Sequence, residues 1–203
     1  IYNIAILNNY DFVKELSWRD FWHHIAYYFP ETKNIEFQEP KRNISRQNDE
    51  FLIKMFESAK TGYPIVDASI KQLLETNRMH WRSRMIVASF LTKDLHVDWK
   101  IWEAFFKKHL LDYDEALNFW NWQWSASVWA DPKPLRIFNP VLQSKKFDKD
   151  AKFIKKYIPY LKNESIENIH NPIENKLNNY YSIIVNHNIE QKIAKELYKK
   201  AKL

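Results

Sequence analysis

A single glycine, Gly62, serves a chain of 203 residues. Tight β-hairpins draw on glycine for their positive-φ positions, so a strand-rich fold would have almost nothing to turn on. Helices joined by loops need far less of it. Hydrophobic residues make up 45% of the chain and aromatic residues 16%, enough for a real core and too many for disorder. The expectation is an all-α, multi-helical single domain spanning 1–203.

Apolar periodicity places the elements. Phe12, Leu16, Phe21, Ile25 and Tyr28 predict a helix over Phe12–Tyr28, closed by Pro30. Lys33–Asp49, with Pro40, Lys41, Arg42 and Arg46, reads as a solvated basic loop. A helix over Asp49–Ala59 follows, then one with Pro64 in its first turn, then one over Met79–Leu95. Asp98–Leu111 is amphipathic, and its aromatic stripe Trp102, Phe105 and Phe106 reads as core. Asp112 is a candidate N-cap for the helix bearing Asn118, Trp122 and Trp124. Asp131–Pro140 reads as extended, Asn163–Asn179 as linker, and His187–Lys202 as a solvated basic helix. Ile1–Asn9 has no cap and reads as a cut end.

The formal net charge of +6 and pI of about 9.2 point weakly to a polyanionic partner. The chain has no cysteine, which excludes disulfides, thiolate catalysis and cysteine-held iron–sulfur clusters. Its seven histidines show no metal-ligand spacing, so no metal is expected. No apolar run is long enough to cross a bilayer and no signal peptide is visible, so a cytoplasmic location away from membranes is the default expectation.

One stretch, Thr61–Trp124, concentrates charge, amide and tryptophan. Arg82 and Arg84 sit two apart, Asp112 and Asp114 two apart, and Asn118, Trp122 and Trp124 follow within about three turns. Arginines and aspartates in so apolar a segment are costly unless paired with each other or with a polar ligand, which makes the segment a candidate site. Arg82 and Arg84 lie about 200° apart on a helix and must face different partners. Glu15, Trp18 and Arg19 fall within roughly one turn and can share a face.

The segments TGYPIVDA, MHWRSRMIVASFL, DYDEALN and WQW, in this order, resemble the flavin-binding catalytic region of the DNA photolyase/cryptochrome family. The likeness extends to ELSWRDF upstream and to RIFNP and KFD downstream, and fades after Pro159. It implies a helical FAD- and DNA-binding catalytic domain that lacks both the N-terminal antenna domain and the Ser/Thr-rich loop holding the flavin phosphates. A fragment of this kind would hold FAD poorly by itself. A folate or deazaflavin antenna pigment would belong only to a full-length protein.

The resemblance also implies roles. Phe12, Arg84, Asp112, Asp114 and Asn118 would hold FAD, with Asp112 fixing Arg84 and Asn118 beside flavin N5. Glu15 would bond a lesion base. Trp18, Arg19, Trp81, Arg82, Met85, Trp124, Arg136, Gln143 and Lys146 would meet damaged DNA. Trp122 and Trp99 would relay electrons to the flavin, and the outermost relay position falls on Arg46, a cation that cannot be oxidised. The implied activity is light-driven splitting of cyclobutane pyrimidine dimers by an electron from reduced FAD, by a monomeric deoxyribodipyrimidine photo-lyase. The alternatives are a cryptochrome-type blue-light photoreceptor without repair, and a flavin-free helical nucleic-acid-binding module. Two departures add bulk near the implied lesion pocket: Trp81 in place of the family's asparagine, and Val128–Trp129 in place of a small, glycine-containing turn.

Overall fold

Short polar residues and prolines mark where the helices start. A computed structural model describes residues 10–131, 133 and 135–201, and these form ten α-helices and no strand. They are α1 (Tyr10–Tyr28), α2 (Glu50–Glu57), α3 (Pro64–Thr76), α4 (Trp81–Ser89), α5 (Trp99–His109), α6 (Glu115–Ser125), α7 (Pro140–Phe147), α8 (Lys152–Tyr157), α9 (Ile166–His170) and α10 (His187–Lys200). The all-α expectation is met. The cut-end reading of Ile1–Asn9 lies outside the described residues.

Asp49, Asp98 and Asp114 each accept backbone N–H groups from the first turns of α2, α5 and α6, and Asn139 does so for α7. Pro64 and Pro140 occupy first turns, where a missing N–H costs nothing. The cap of α6 is thus Asp114 rather than Asp112, because only the residue directly before the helix reaches the orphan N–H of Leu117. The helix expected over Met79–Leu95 begins at Trp81 and widens into a π-turn at Phe90–Asp94.

α5 and α6 pack side by side, α1 lies on α6, and α3 rests on α4 and α8. Between them Phe56, Ile70, Leu73, Phe90, Leu91, Trp99, Trp102 and Trp120 are buried. Phe106 is buried as well, as the aromatic stripe of α5 predicts.

Three expectations need correction. First, α10 is solvated on one face only. His187, Ala194 and Tyr198 are buried, and the helix is tied to the π-turn by His187 to Asp94 and by His96 Nε2 to Glu190 at 2.8 Å. Secondly, Asn163–Asn179 is no linker. It contains α9, buries Ile169 and Leu177, and sets His170 Nδ1 against Ser144 Oγ at 2.6 Å. Thirdly, Lys41 in the basic loop is buried, its Nζ donating to Tyr198 O at 3.2 Å. In each case a long-range contact to a distant element gives the polar groups their partners, and local composition carries no trace of it.

The corner at Thr61–Asp67 binds these pieces together. The Asp67 carboxylate, fully buried, accepts from Thr61 N at 2.9 Å, Thr61 Oγ1 at 2.7 Å, Gly62 N at 3.2 Å and the Tyr180 hydroxyl. Burial pushes its carboxyl above the ordinary range, and these hydrogen bonds pull the other way. Ile184 N donates to Thr61 O at 3.0 Å, and Tyr63 Oη donates to Val185 O while accepting from His187 N.

Gly62 sits at φ +81°, and a Cβ there would lie 2.5 Å from Ser182 O and 2.6 Å from Ile183 N and Cα. All three obstacles are backbone, so none can swing aside. Gly62→Ala is expected to destabilise the fold by more than about 2 kcal/mol through the left-handed conformation and the clash together. Urea denaturation of the purified variant measures it, and a loss below about 0.5 kcal/mol, as for an ordinary surface substitution, would show that the corner gives way.

Candidate functional site

The exposed side of the bundle opens into a cavity of about 890 Å³, walled by α1, α4, α5, α6 and by Trp129, Ala130, Asp131 and Arg136. That volume is in the range of cofactor and substrate sites. Its walls differ chemically, and each is set by how its helix packs.

The charged wall comes from α4 and the loop before α6. Arg84 Nη2 donates to both oxygens of Asp112, at 2.8 and 2.7 Å, and its Nε donates to Met79 O at 2.8 Å. The guanidinium is held at two edges and keeps its charge facing the cavity. Asp112 is 62% exposed, so the pair stands at the rim. Asp114 caps α6 and also bonds His23 Nε2 at 2.9 Å, which ties α1 to α6.

The amide wall is Asn118. Its Nδ2 donates to Glu103 O at 3.2 Å and to Glu103 Oε1 at 3.0 Å, and Tyr113 Oη donates to the same Oε1 at 3.1 Å. A carbonyl and a carboxylate can only accept, so the amide nitrogen must face Glu103 and Oδ1 is left as an acceptor at the cavity. Burial and the nearby Glu103 carboxylate push the Tyr113 hydroxyl well above the usual tyrosine range, so it stays a donor.

The aromatic wall joins α1, α6, Trp129 and Arg136. Trp22 stacks on Trp18 at 6.3 Å and on Trp120 at 6.0 Å between centroids, and Trp129 closes on Trp120 edge-on at 4.2 Å. Trp122 is buried against Phe106 at 5.0 Å. The Arg136 guanidinium lies over Trp124 at 5.1 Å and bonds Asp131 through Nε at 2.6 Å and Nη2 at 2.9 Å. That hydrogen-bonded guanidinium holds the Asp131 carboxyl below its ordinary 3.8, and Asp131 raises Arg136 in turn. A depressed carboxyl adds stability at neutral pH that is lost as pH falls below that range.

Of the residues singled out in the sequence, Glu15, Trp18, Trp81, Arg84, Met85, Asp112, Asp114, Asn118, Trp122, Trp124 and Arg136 line this cavity. Phe12, Arg19, Arg82, Trp99, Gln143 and Lys146 do not. Phe12 and Arg19 are exposed on α1, with Arg19 3.6 Å from Asp20. Arg82 is clamped between the rings of Trp81 and Phe147, at 4.2 and 4.4 Å, while Lys146 lies over the Phe147 ring at 5.4 Å and Gln143 lies one turn earlier on the same helix. The two arginines of α4 do face different partners. Trp99 is buried, and its Nε1 donates to Glu36 Oε1 at 3.2 Å. Arg46, the expected outermost relay position, has a side chain only 8% exposed and lies 3.6 Å from that same Glu36 oxygen.

Sequence reasoning missed Glu103, Tyr113, Trp22 and Asp131. Glu103 had a signal: it falls between Trp99 and Phe106 at i+4 and i+7 of one helix face, a lone acid on an aromatic stripe. The others depend on which segments meet, which periodicity does not show.

A sequence profile described as "FAD binding domain of DNA photolyase" matches residues 12–200. The deoxyribodipyrimidine photo-lyase of a Synechococcus strain is 47% identical over 193 residues, covering 93% of this chain and 40% of that protein. The enzyme of the same name from Buchnera aphidicola subsp. Baizongia pistaciae is 43% identical over 197 residues, covering 94% and 41%. The crystal structure of an archaeal photolyase from Sulfolobus tokodaii with two FAD molecules superposes with a TM-score of 0.90 at 41% identity, covering 95% of this chain and 45% of that one. A Synechocystis cryptochrome superposes at 0.85 with 30% identity, covering 92% and 41%. The chain spans roughly two fifths of the length of the curated relatives.

If Glu103 is the shared anchor of Asn118 and Tyr113, Glu103→Ala should cost about 1–3 kcal/mol in chemical denaturation. In a double-mutant cycle, adding Asn118→Ala should then cost clearly less than it does alone, because its bond to the Glu103 carboxylate is already gone and only the one to Glu103 O remains to be broken. Additive costs would mean that the two side chains do not share a bond.

Proposed function

Because this chain belongs to the family of FAD-binding domains of DNA photolyases, we propose that it is the FAD- and DNA-binding part of a deoxyribodipyrimidine photo-lyase, which uses light and reduced FAD to split cyclobutane pyrimidine dimers in DNA. One observation carries the reading: a single cavity brings the Arg84–Asp112 pair, the oriented Asn118 amide and the Glu15, Trp18 and Trp124 side chains together. The higher identity to photo-lyases than to the cryptochrome favours repair over signalling.

The residues present fit a flavin ring. Arg84 supplies a fixed positive charge for an anionic ring system, and Asp112 keeps it aimed. Asn118 offers an uncharged acceptor, which meets a ring N–H without setting a second negative charge against the ring. When bound, the reduced flavin supplies the light-driven electron transfer. The protein's part is to orient the two reactants and exclude water. Trp22, Trp129, Phe106 and Leu110 provide the apolar lining. Trp18 and Trp124 offer flat walls to two linked pyrimidines turned out of the helix, and Glu15 offers an acceptor for a base edge. Unstacking is cheapest at a damaged step, so access to the cavity itself selects for lesions.

The full-length protein, reconstituted with FAD and reduced, should lower the dimer content of ultraviolet-irradiated oligonucleotides under blue light and not in the dark. Bound flavin with no light-dependent loss of dimers would turn the reading to photoreception.

Arg82 and Lys146 have no ion-pair partner among the described residues, whereas Arg136 is neutralised by Asp131. Neutral substitution of Arg82 or Lys146 should therefore reduce the slope of duplex affinity against salt by roughly 0.9 each. Arg136→Gln should change that slope less. Titrations at several salt concentrations decide this, and unchanged slopes in both the Arg82 and Lys146 variants would move the DNA path elsewhere.

A further inference from the structure

Trp81 opens α4 at the mouth of the cavity. It lines the cavity, yet 58% of its surface is exposed. It is also held in place. The Arg82 guanidinium lies over its ring at 4.2 Å, and the other side of that guanidinium is backed by Phe147 at 4.4 Å. The result is an indole–guanidinium–phenyl stack, with Lys146 over its outer ring at 5.4 Å. Arg82 stays in this stack without a carboxylate partner among the described residues, and its Nε is buried and unbonded. Trp18, the other exposed indole at the cavity, is instead held by other aromatic rings, Phe21 edge-on and Trp22 face-on.

A large apolar surface held rigid beside unneutralised cations is costly in water and complementary to one kind of partner. The partner must carry a flat π-face and negative charge within a few ångströms of each other, as a nucleotide does. An indole at a cavity mouth reaches only a π-face that is already free. Bases inside a continuous duplex have both faces covered by their neighbours, so the partner is an unpaired base.

Resting on the reading that this cavity faces DNA, we propose that Trp81 is a stacking platform for an unpaired nucleobase beside the cavity, with Arg82 and Lys146 holding its phosphates. The preferred substrate class is then single-stranded or locally opened DNA. Trp81 is a positioning residue in this scheme: it holds the strand, and the chemistry takes place deeper in the cavity.

The test compares full-length wild type, Trp81→Ala and Trp81→Phe in binding an undamaged single-stranded oligonucleotide and its duplex, each at low and high salt. Trp81→Ala should weaken single-strand binding roughly ten-fold or more, the cost of one lost base stack. Duplex affinity should stay within about two-fold. The loss should be the same at both salts, because stacking releases no counterions. Trp81→Phe, which keeps a π-face, should recover most of the affinity. Equal weakening of both DNA forms, a loss that shrinks at high salt, or unchanged single-strand binding would each overturn the platform. Light-driven dimer repair by the wild type is measured alongside. Absent repair with Trp81-dependent single-strand binding removes the repair reading and keeps the platform. Intact repair with Trp81-indifferent binding removes only the platform.

Discussion

The buried carboxylate of Asp67 is the constraint on which the arrangement of this domain depends. Four donors converge on it, three from the Thr61–Gly62 turn and one from Tyr180, more than a hundred residues away in sequence. An isolated carboxylate in such a place would be far too costly to keep. The four donors offset part of that cost, and together they fix the geometry of the corner. That corner starts α3 and receives the segment Ser182–Val185, so the C-terminal part of the chain is anchored to the middle of the core.

The π-turn at Phe90–Asp94 repeats the device one layer further on. Lys93 is buried with its Nζ on Ser125 O at 2.6 Å and on Thr92 Oγ1, and burial holds it well below the ordinary lysine range. Asp94 answers to His187 of α10, although burial still pushes its carboxyl up. The turn thereby joins α10 on one side to the end of α6 on the other. Since α6 carries Asn118, Trp122 and Trp124, the position of the cavity wall depends on polar groups that never touch the cavity. Both ends of its helix are tied, by His23 through Asp114 at the start and by Lys93 at Ser125 at the end.

Within the cavity, order of a different kind matters. Arg84 and Asn118 are each held from behind, by Asp112 and Met79 O in one case and by Glu103 in the other. Side chains fixed in this way present charge and acceptor in a set direction before any ligand arrives, which spares the ordering entropy at binding. The membership of this chain in the photolyase FAD-binding family is consistent with such a site, where a planar ring has to be met at its edges.

What the sequence determined by itself was the class of fold, the approximate helices, and many of the residues that meet in the cavity. One glycine and dense aromatic periodicity left little room for anything except helices. The two arginines of α4 had to diverge, because an α-helix turns about 100° per residue. Which residue caps α6, why Lys41 is buried, and what Glu103 holds were decided only by tertiary structure. Each involves a partner outside the local segment: Asp112 pairs with Arg84 while Asp114, directly before the helix, caps it, Tyr198 O receives Lys41, and Asn118 meets Glu103 only once α5 and α6 lie side by side. Local pattern reports which face of a helix is apolar. It does not report which helix will cover that face, and the polar partners arrive with the covering helix.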